Sequence, residues 1–437
     1  MSEAARSEKT GAPYIGTPQA EDQARLLARA ASAGAMRRRS ATYAQSVAMT
    51  RRAILRNTAL GGLAVAGAGT LAACGTAPAH KTVPAAEATG HAGTDYSAAE
   101  KVVNFSNWPA YIDIDSKDKN KHPTLDDFKT QTGITVNYTE DINDNNEFYT
   151  TIDPMLAAGK DTGRDIVVLS DYMIPKLRQN DYIQKLNLAN IPNHGNMTSQ
   201  MANVPVDPGR AYTVPWASGF TVIAYNAKLI SSPITSIKEL FTRADLKGKV
   251  SLMAEMEDTV AFALLALGKD PSKFTDDDFA AAMAYIQKAK DAGQVRAYSG
   301  NDYLSDFTQG NTVVTMAYSG DVAALGIDYL KTVFPQEGSL SWYDNMCIPN
   351  YARHKTNAEK LMNYYLQPKV AAELDDYIDY IPVVNGAVDE LKTLDAAAAS
   401  NPLIVPTAQE SATAKSFMAI TVAKLDEYTK KYLQVTG

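Results

Sequence analysis

Beyond Lys101 the chain alternates short apolar runs with helix-length amphipathic stretches, and this alternation restricts its folds more than any other feature. Residues 102–106 and 134–138 read as strands around a helix that Pro123 and Thr124 open and Gly133 stops. Residues 147–158 read as a helix, 165–169 (DIVVL) as a continuous apolar strand, and 173–179 as a helix again. Further strands are expected at 221–225, 248–253, 295–298, 312–318 and 342–348. Helices are expected at 236–241, 258–267, 276–289, 303–309, 357–365 and 369–378, with a long C-terminal one over 411–433. The 276–289 helix starts on three acids, as its dipole favours. Strands alternating with helices specify βαβ units and an α/β fold.

Residues 50–74, TRRAILRNTALGGLAVAGAGTLAAC, precede this part. The paired Arg51 and Arg52 stand before an apolar run over 58–72, shorter than the ~20 residues that a membrane-spanning helix needs. A charged start, a short apolar middle and small residues at the end make a secretory leader. The two arginines point to the twin-arginine route. Leu71-Ala72-Ala73-Cys74 resembles a bacterial lipobox, whose cysteine is acylated and becomes the mature N-terminus. Residues 1–49, rich in Ala, Arg and Ser, read as an N-terminal extension that contains alternative starts at Met36 and Met49. Residues 50–73 are the signal peptide. Residues 74–97 read as a flexible tether, because the stretch 75–93 has almost no large apolar side chain with which to fold.

Composition narrows the function classes. The 437 residues are 45% hydrophobic and 21% charged, enough for two domains with proper cores. Ten Lys and Arg against four Asp and Glu precede Cys74, so the formal charge of −7 becomes −13 for residues 74–437. An exported protein so acidic lacks the basic footprint that nucleic acid requires, and suits a cationic ligand steered by its field. With Cys74 acylated, Cys347 is left alone and reads as a small buried hydrophobe. The five histidines lack metal-ligand spacing, and no metal site is expected. The stretch 141–147 (DINDNNE) starts like a calcium loop but has Asn146 and Ile152 where such a loop needs Gly and Glu, so it reads as a solvated turn. No nucleophile elbow, Walker motif or dinucleotide fingerprint is present, and no cofactor is expected.

Six stretches occur in a telling order: 107–111 (NWPAY), 124–138 (TLDDFKTQTGITVNY), 165–172 (DIVVLSDY), 212–226 (YTVPWASGFTVIAYN), 318–321 (YSGD) and 342–349 (WYDNMCIP). In this order they resemble the spermidine/putrescine-type substrate-binding proteins of bacterial ABC importers, from about Lys101 to the C-terminus. The resemblance implies a two-lobed, periplasmic-binding-protein-like (type II) α/β fold with crossover hinge strands. It implies lobe 1 over 98–212 and 321–384 and lobe 2 over 213–320 and 385–437, with lobe changes near 212–216 and 318–321. It further implies a monomeric, lipid-anchored receptor, not an enzyme, that delivers a polyamine to an ABC permease at the outer face of the cytoplasmic membrane or in the periplasm. Trp108 and Tyr111 look like the aromatics of the first loop, and Ser170 and Tyr172 like the contacts of the second. Glu255 and Asp258 align with two acidic contacts of the other lobe. Asp321 and Asp344 look like the carboxylates that hold an amine, Trp342 like an aromatic wall, and Tyr380 like a late tyrosine contact. Ala110 stands where the family has Asp or Glu, so one carboxylate is missing and the particular polyamine stays open.

A polyamine is a row of ammonium charges joined by methylenes, and it needs carboxylates at matching intervals with flat walls between them. An ammonium over an aromatic face gains ~0.5–2 kcal/mol, and each buried methylene adds ~0.8 kcal/mol. Walls alone fall short of the roughly −8 kcal/mol of a micromolar complex. Charge-assisted hydrogen bonds from the ammonium groups to Asp321, Asp344 and an acid of the second lobe must supply the rest. Each residue also has a plainer reading. Trp108, Trp216 and Trp342 serve equally as core aromatics, Asp321 as a helix cap, and Glu255 and Asp258 as a solvated helix start. A secreted hydrolase with a carboxylate pair is the alternative from another class, and the same binding fold with a non-polyamine ligand is a third.

Overall fold

The computed structural model describes residues 90–437. The extension, the leader with Cys74, and the tether up to residue 89 lie outside the described residues. Among the described residues the strands are β1 (Val102–Asn107), β2 (Thr135–Glu140), β3 (Ile166–Ser170), β4 (Thr213–Asn226), β5 (Val250–Met253), β6 (Val295–Ser299), β7 (Val314–Tyr318), β8 (Leu330–Val333) and β9 (Leu340–Cys347). They form one sheet in the order β2-β1-β3-β9-β4-β7-β5-β6, with β8 paired to β4.

The two ends of this sheet are parallel: β1 pairs with β2 and β3, and β5 with β6 and β7. These are the βαβ units that the alternation specifies, since a parallel neighbour requires a helical crossover. β3 is apolar along its length because a parallel strand is covered on both faces. The centre is antiparallel. β9 runs between β3 and β4, and β4 also pairs with β7 and β8.

Two hydrophobic cores flank this centre. One gathers Phe105, the β3 residues, Trp216 and Met346, and the other Phe220, Val222, Val250, Phe262 and Met316. β4 passes from the first to the second between Ala217 and Phe220. β9 returns alongside it, with Leu340 opposite Thr221 and Cys347 opposite Thr213. All fourteen residues of β4 are buried, which explains why it far exceeds the 221–225 segment expected. Pro215 and Gly219 argue locally against a strand, but packing between two cores overrides them. Cys347 is fully buried, as expected of a small hydrophobe.

Five expectations need correction. The return to the first core is not at 318–321. Leu325 lies in the second core and β8 pairs with β4, so β9 makes the return. Ala387, Leu391 and Ile404 pack in the first core, although 385–437 was assigned to the second lobe. The long helix over 411–433 is two helices, Ala408–Thr413 and Val422–Thr436. Between them Lys415 donates its N–H to Ser339 and accepts from Ser341 at 2.9 and 2.8 Å, so the chain runs extended beside the start of β9. Thr421 then caps the second helix. Residues 90–97, expected in the tether, are instead held on the fold. Gly90 donates to Asp181 at 2.7 Å, His91 stacks on Tyr351, and Ser97 is buried. The 141–147 turn is a helix start: Asp144 caps the Asn145–Ala157 helix and Asp141 pairs with Arg164 at 2.5 Å.

Candidate functional site

Where the two cores meet, the ends of β1 and β3 face the start of the Met256–Ala266 helix across a cleft. It encloses about 750 Å³ of atom-free space, its solvent mouth included. All ten residues singled out in the sequence as ligand candidates line it: Trp108, Tyr111, Ser170, Tyr172, Glu255, Asp258, Asp321, Trp342, Asp344 and Tyr380. Ala110 also lines it, in the left-handed region at φ 57°, with its N–H on Glu140 at 3.1 Å.

The acids are held in place by hydroxyls. Asp344, on β9, accepts from Tyr111 at 2.9 Å and from Ser170 at 2.7 Å. Asp321, in the first turn of the Ser319–Leu325 helix, accepts from Tyr303 at 3.0 Å and Tyr380 at 2.9 Å. Asp258 accepts from Thr221 and, at 3.4 Å, from Tyr318. Glu255 accepts from Tyr172, and from the backbone and side-chain amides of Asn145 at 3.2 and 3.1 Å. A donor on each oxygen aims the carboxylate and leaves its remaining lone pairs for a ligand.

The rings form a wall of perpendicular contacts. Trp342 meets Tyr318 with centroids 5.4 Å apart and Tyr380 at 5.3 Å, and Tyr380 meets Tyr111 at 5.3 Å. Trp342 lies directly on Gly219, and Tyr380 on Gly320, where no Cβ fits. Trp108 fastens its loop by donating to Val168 at 3.0 Å. Trp216 is a core aromatic, 2% exposed and bonded to Tyr111, and does not line the cleft.

Six carboxylates line the cleft, and no Lys, Arg or His does. Burial pushes Asp258, Asp321 and Asp344 each up to about 6. Burial and then the charge of Asp344 push Asp171 to about 7. Glu255 and Glu257 are raised well above the usual carboxylate range, chiefly by burial. Like charges crowded away from water favour the protonated forms. The Met256–Ala266 helix directs its N-terminal dipole at this region and partly offsets the cost of the charge.

Reasoning from the sequence missed Asp171, Glu257, Asn145 and Tyr318. Glu257 had a signal, as it lies between Glu255 and Asp258 ahead of a strongly apolar run. Every residue of its helix is buried, so Glu255 and Asp258 are not a solvated start. Asn145 had none, because only the approach of the two halves brings it to Glu255. Among the described residues no group of His, Cys, Asp and Glu is arranged to hold a metal, and no helix is long and apolar enough to cross a membrane.

The chain has known relatives. The spermidine/putrescine-binding periplasmic protein of Salmonella typhimurium is 31% identical over 308 residues, 70% of this chain and 83% of that one. Its Escherichia coli K12 namesake is 30% identical over 290 residues, 66% of this chain and 78% of that one. Among solved structures, the spermidine/putrescine ABC transporter substrate-binding protein PotD of Streptococcus pneumoniae has a TM-score of 0.62 at 22% identity, covering 77% of this chain and 98% of that one. It shares the two-lobed, periplasmic-binding-protein-like fold. Residues 124–407 match the bacterial extracellular solute-binding proteins, and the chain belongs to that family.

Proposed function

We propose that this protein is an exported receptor that captures a polyamine of the spermidine/putrescine class between its two halves and delivers it to an ABC-transporter permease. One observation carries the reading: a buried cleft with six carboxylates, aromatic walls and no cationic side chain of its own. A bound polyamine supplies the missing positive charges. Asp344 and Asp321, each aimed by two hydroxyls, receive ammonium groups, and Trp342 and Tyr380 flank the methylenes. The names of the relatives above support the same ligand class. The chain captures its ligand without converting it, as a monomer, and takes no part in nucleic-acid binding. Cys74, acylated after export, holds it at the outer face of the cytoplasmic membrane.

Closure follows from where the donors sit. Tyr172 and Asn145 reach Glu255 from the first-core side, and Tyr380 reaches Asp321. A ligand that touches both sides favours the closed form by its differential affinity, in a hinge motion about β4 and β9.

A thermal-shift panel of putrescine, spermidine, spermine, agmatine and amino acids tests this, with calorimetry on the best ligand. Polyamines raise the melting temperature and are recovered unchanged. Asp344→Asn weakens binding roughly 10- to 100-fold, since it removes a hydrogen bond to a charged group. No shift with any polyamine, or conversion of the ligand, overturns the proposal.

A further inference from the structure

A second cavity, of about 1730 Å³ with its solvent mouth, adjoins the cleft. The two share a wall made of Asp171, Tyr172, Glu257, Ser341, Trp342 and Phe417. Glu257 stands apart in that wall. It is 5% exposed, and no other residue donates a hydrogen bond to either of its carboxylate oxygens. The other cleft acids differ: Asp258, Asp321, Asp344 and Glu255 are each braced by at least two donors, and Asp171 accepts from the Tyr172 N–H at 2.8 Å.

A buried carboxylate with no donor beyond its own backbone is costly to keep. No packing role explains it, because an apolar side chain of the same size would fill the place without that cost. Its position in the first turn of the Met256–Ala266 helix is favourable for an anion. Burial first, opposed by its own backbone N–H, and then the charges of Asp258, Asp171 and Asp144 raise its affinity for a proton. What the residue lacks is a cation.

We propose that Glu257 recognises one further nitrogen of a triamine or longer amine, in a subsite that continues the cleft through this wall into the adjoining cavity. The inference rests on the polyamine reading above and adds the ligand's length to it. Two nitrogens lie among Asp258, Asp321 and Asp344. The next methylenes pass between Tyr172 and Trp342, and the third ammonium reaches Glu257, with Asp171 beside it. The Glu257 carboxyl gives up its proton as the ammonium arrives. A diamine ends short of this wall and leaves that proton in place.

Calorimetry with putrescine, spermidine and spermine on the wild type, Glu257→Gln and Glu257→Met is the test. Both substitutions lower the ratio of spermidine to putrescine affinity by about tenfold or more, the worth of one hydrogen bond to a charged group. A ratio unchanged in folded variants overturns the subsite and leaves the polyamine reading standing. A wild type that binds no polyamine overturns that reading itself. A second measurement needs no variant. Titrations of the wild type in buffers of different ionisation enthalpy show about one more proton released by spermidine than by putrescine. Equal release overturns the proposal.

Discussion

Asp258, Asp321 and Asp344 are among the cleft acids that shape the pH behaviour of the protein. Their ordinary value near 3.8 rises to about 6 in the cleft, chiefly by burial. Between about pH 4 and 7 the folded protein therefore holds more protons than the unfolded chain. The stability each group contributes is present below its unfolded value and is lost as pH rises through the folded one. The ligand-free protein melts at a lower temperature at pH 8 than at pH 5, which calorimetric scans check. Polyamine affinity runs the opposite way, because amines stay charged over this range while the carboxylates ionise. Binding is stronger at pH 8 than at pH 5; equal affinity at both would remove these acids from the ligand's contacts. At this scale the sequence was informative where an acid interrupts an apolar context, as Asp344 does inside β9. It was silent on Tyr303 and Thr221, whose hydroxyls acquire meaning only once folding brings Asp321 and Asp258 to them.

The paired strands β4 and β9 are the elements on which the site depends. They carry Asp344 and Trp342, join the two cores, and approach so closely that Trp342 covers Gly219. A methyl group at Gly219 overlaps the indole, and overpacking of this kind costs about 1–3 kcal/mol. Gly219→Ala lowers the urea midpoint and weakens polyamine binding severalfold, because Trp342 must leave its wall. Full retention of both would mean that the indole moves without loss. Most helices and parallel strands were legible from apolar periodicity. The first half of β4 was not, since Pro215 and Gly219 speak against a strand and only the cores on either side hold them in one. The break in the C-terminal helix was equally hidden. Residues 414–421 give up helical bonds for pairing with β9 and for Met418 on Pro271, partners distant in sequence.

At the scale of the molecule, the two halves are bridged outside the cleft as well as inside it. Lys176 of the Met173–Gln179 helix meets Asp426 of the Val422–Thr436 helix at 2.9 Å, beyond the Tyr172–Glu255 and Tyr380–Asp321 bonds. The lipid anchor proposed above rests on the other end of the chain. Cys74→Ser moves the protein from the membrane to the soluble fraction and abolishes labelling by radioactive palmitate; retention at the membrane would refute the lipid anchor. The sequence by itself determined the alternation of strands and helices, the acidic balance and the set of acids and rings available for an amine, because periodicity, charge and residue chemistry are local properties. Only the tertiary structure decided that those ten residues share one cleft, that β9 rather than the 318–321 segment returns the chain to the first core, and that Glu257 is buried without a donor from any other residue. Burial and hydrogen bonding across more than a hundred residues depend on how separate elements pack, and no stretch of sequence contains that alone.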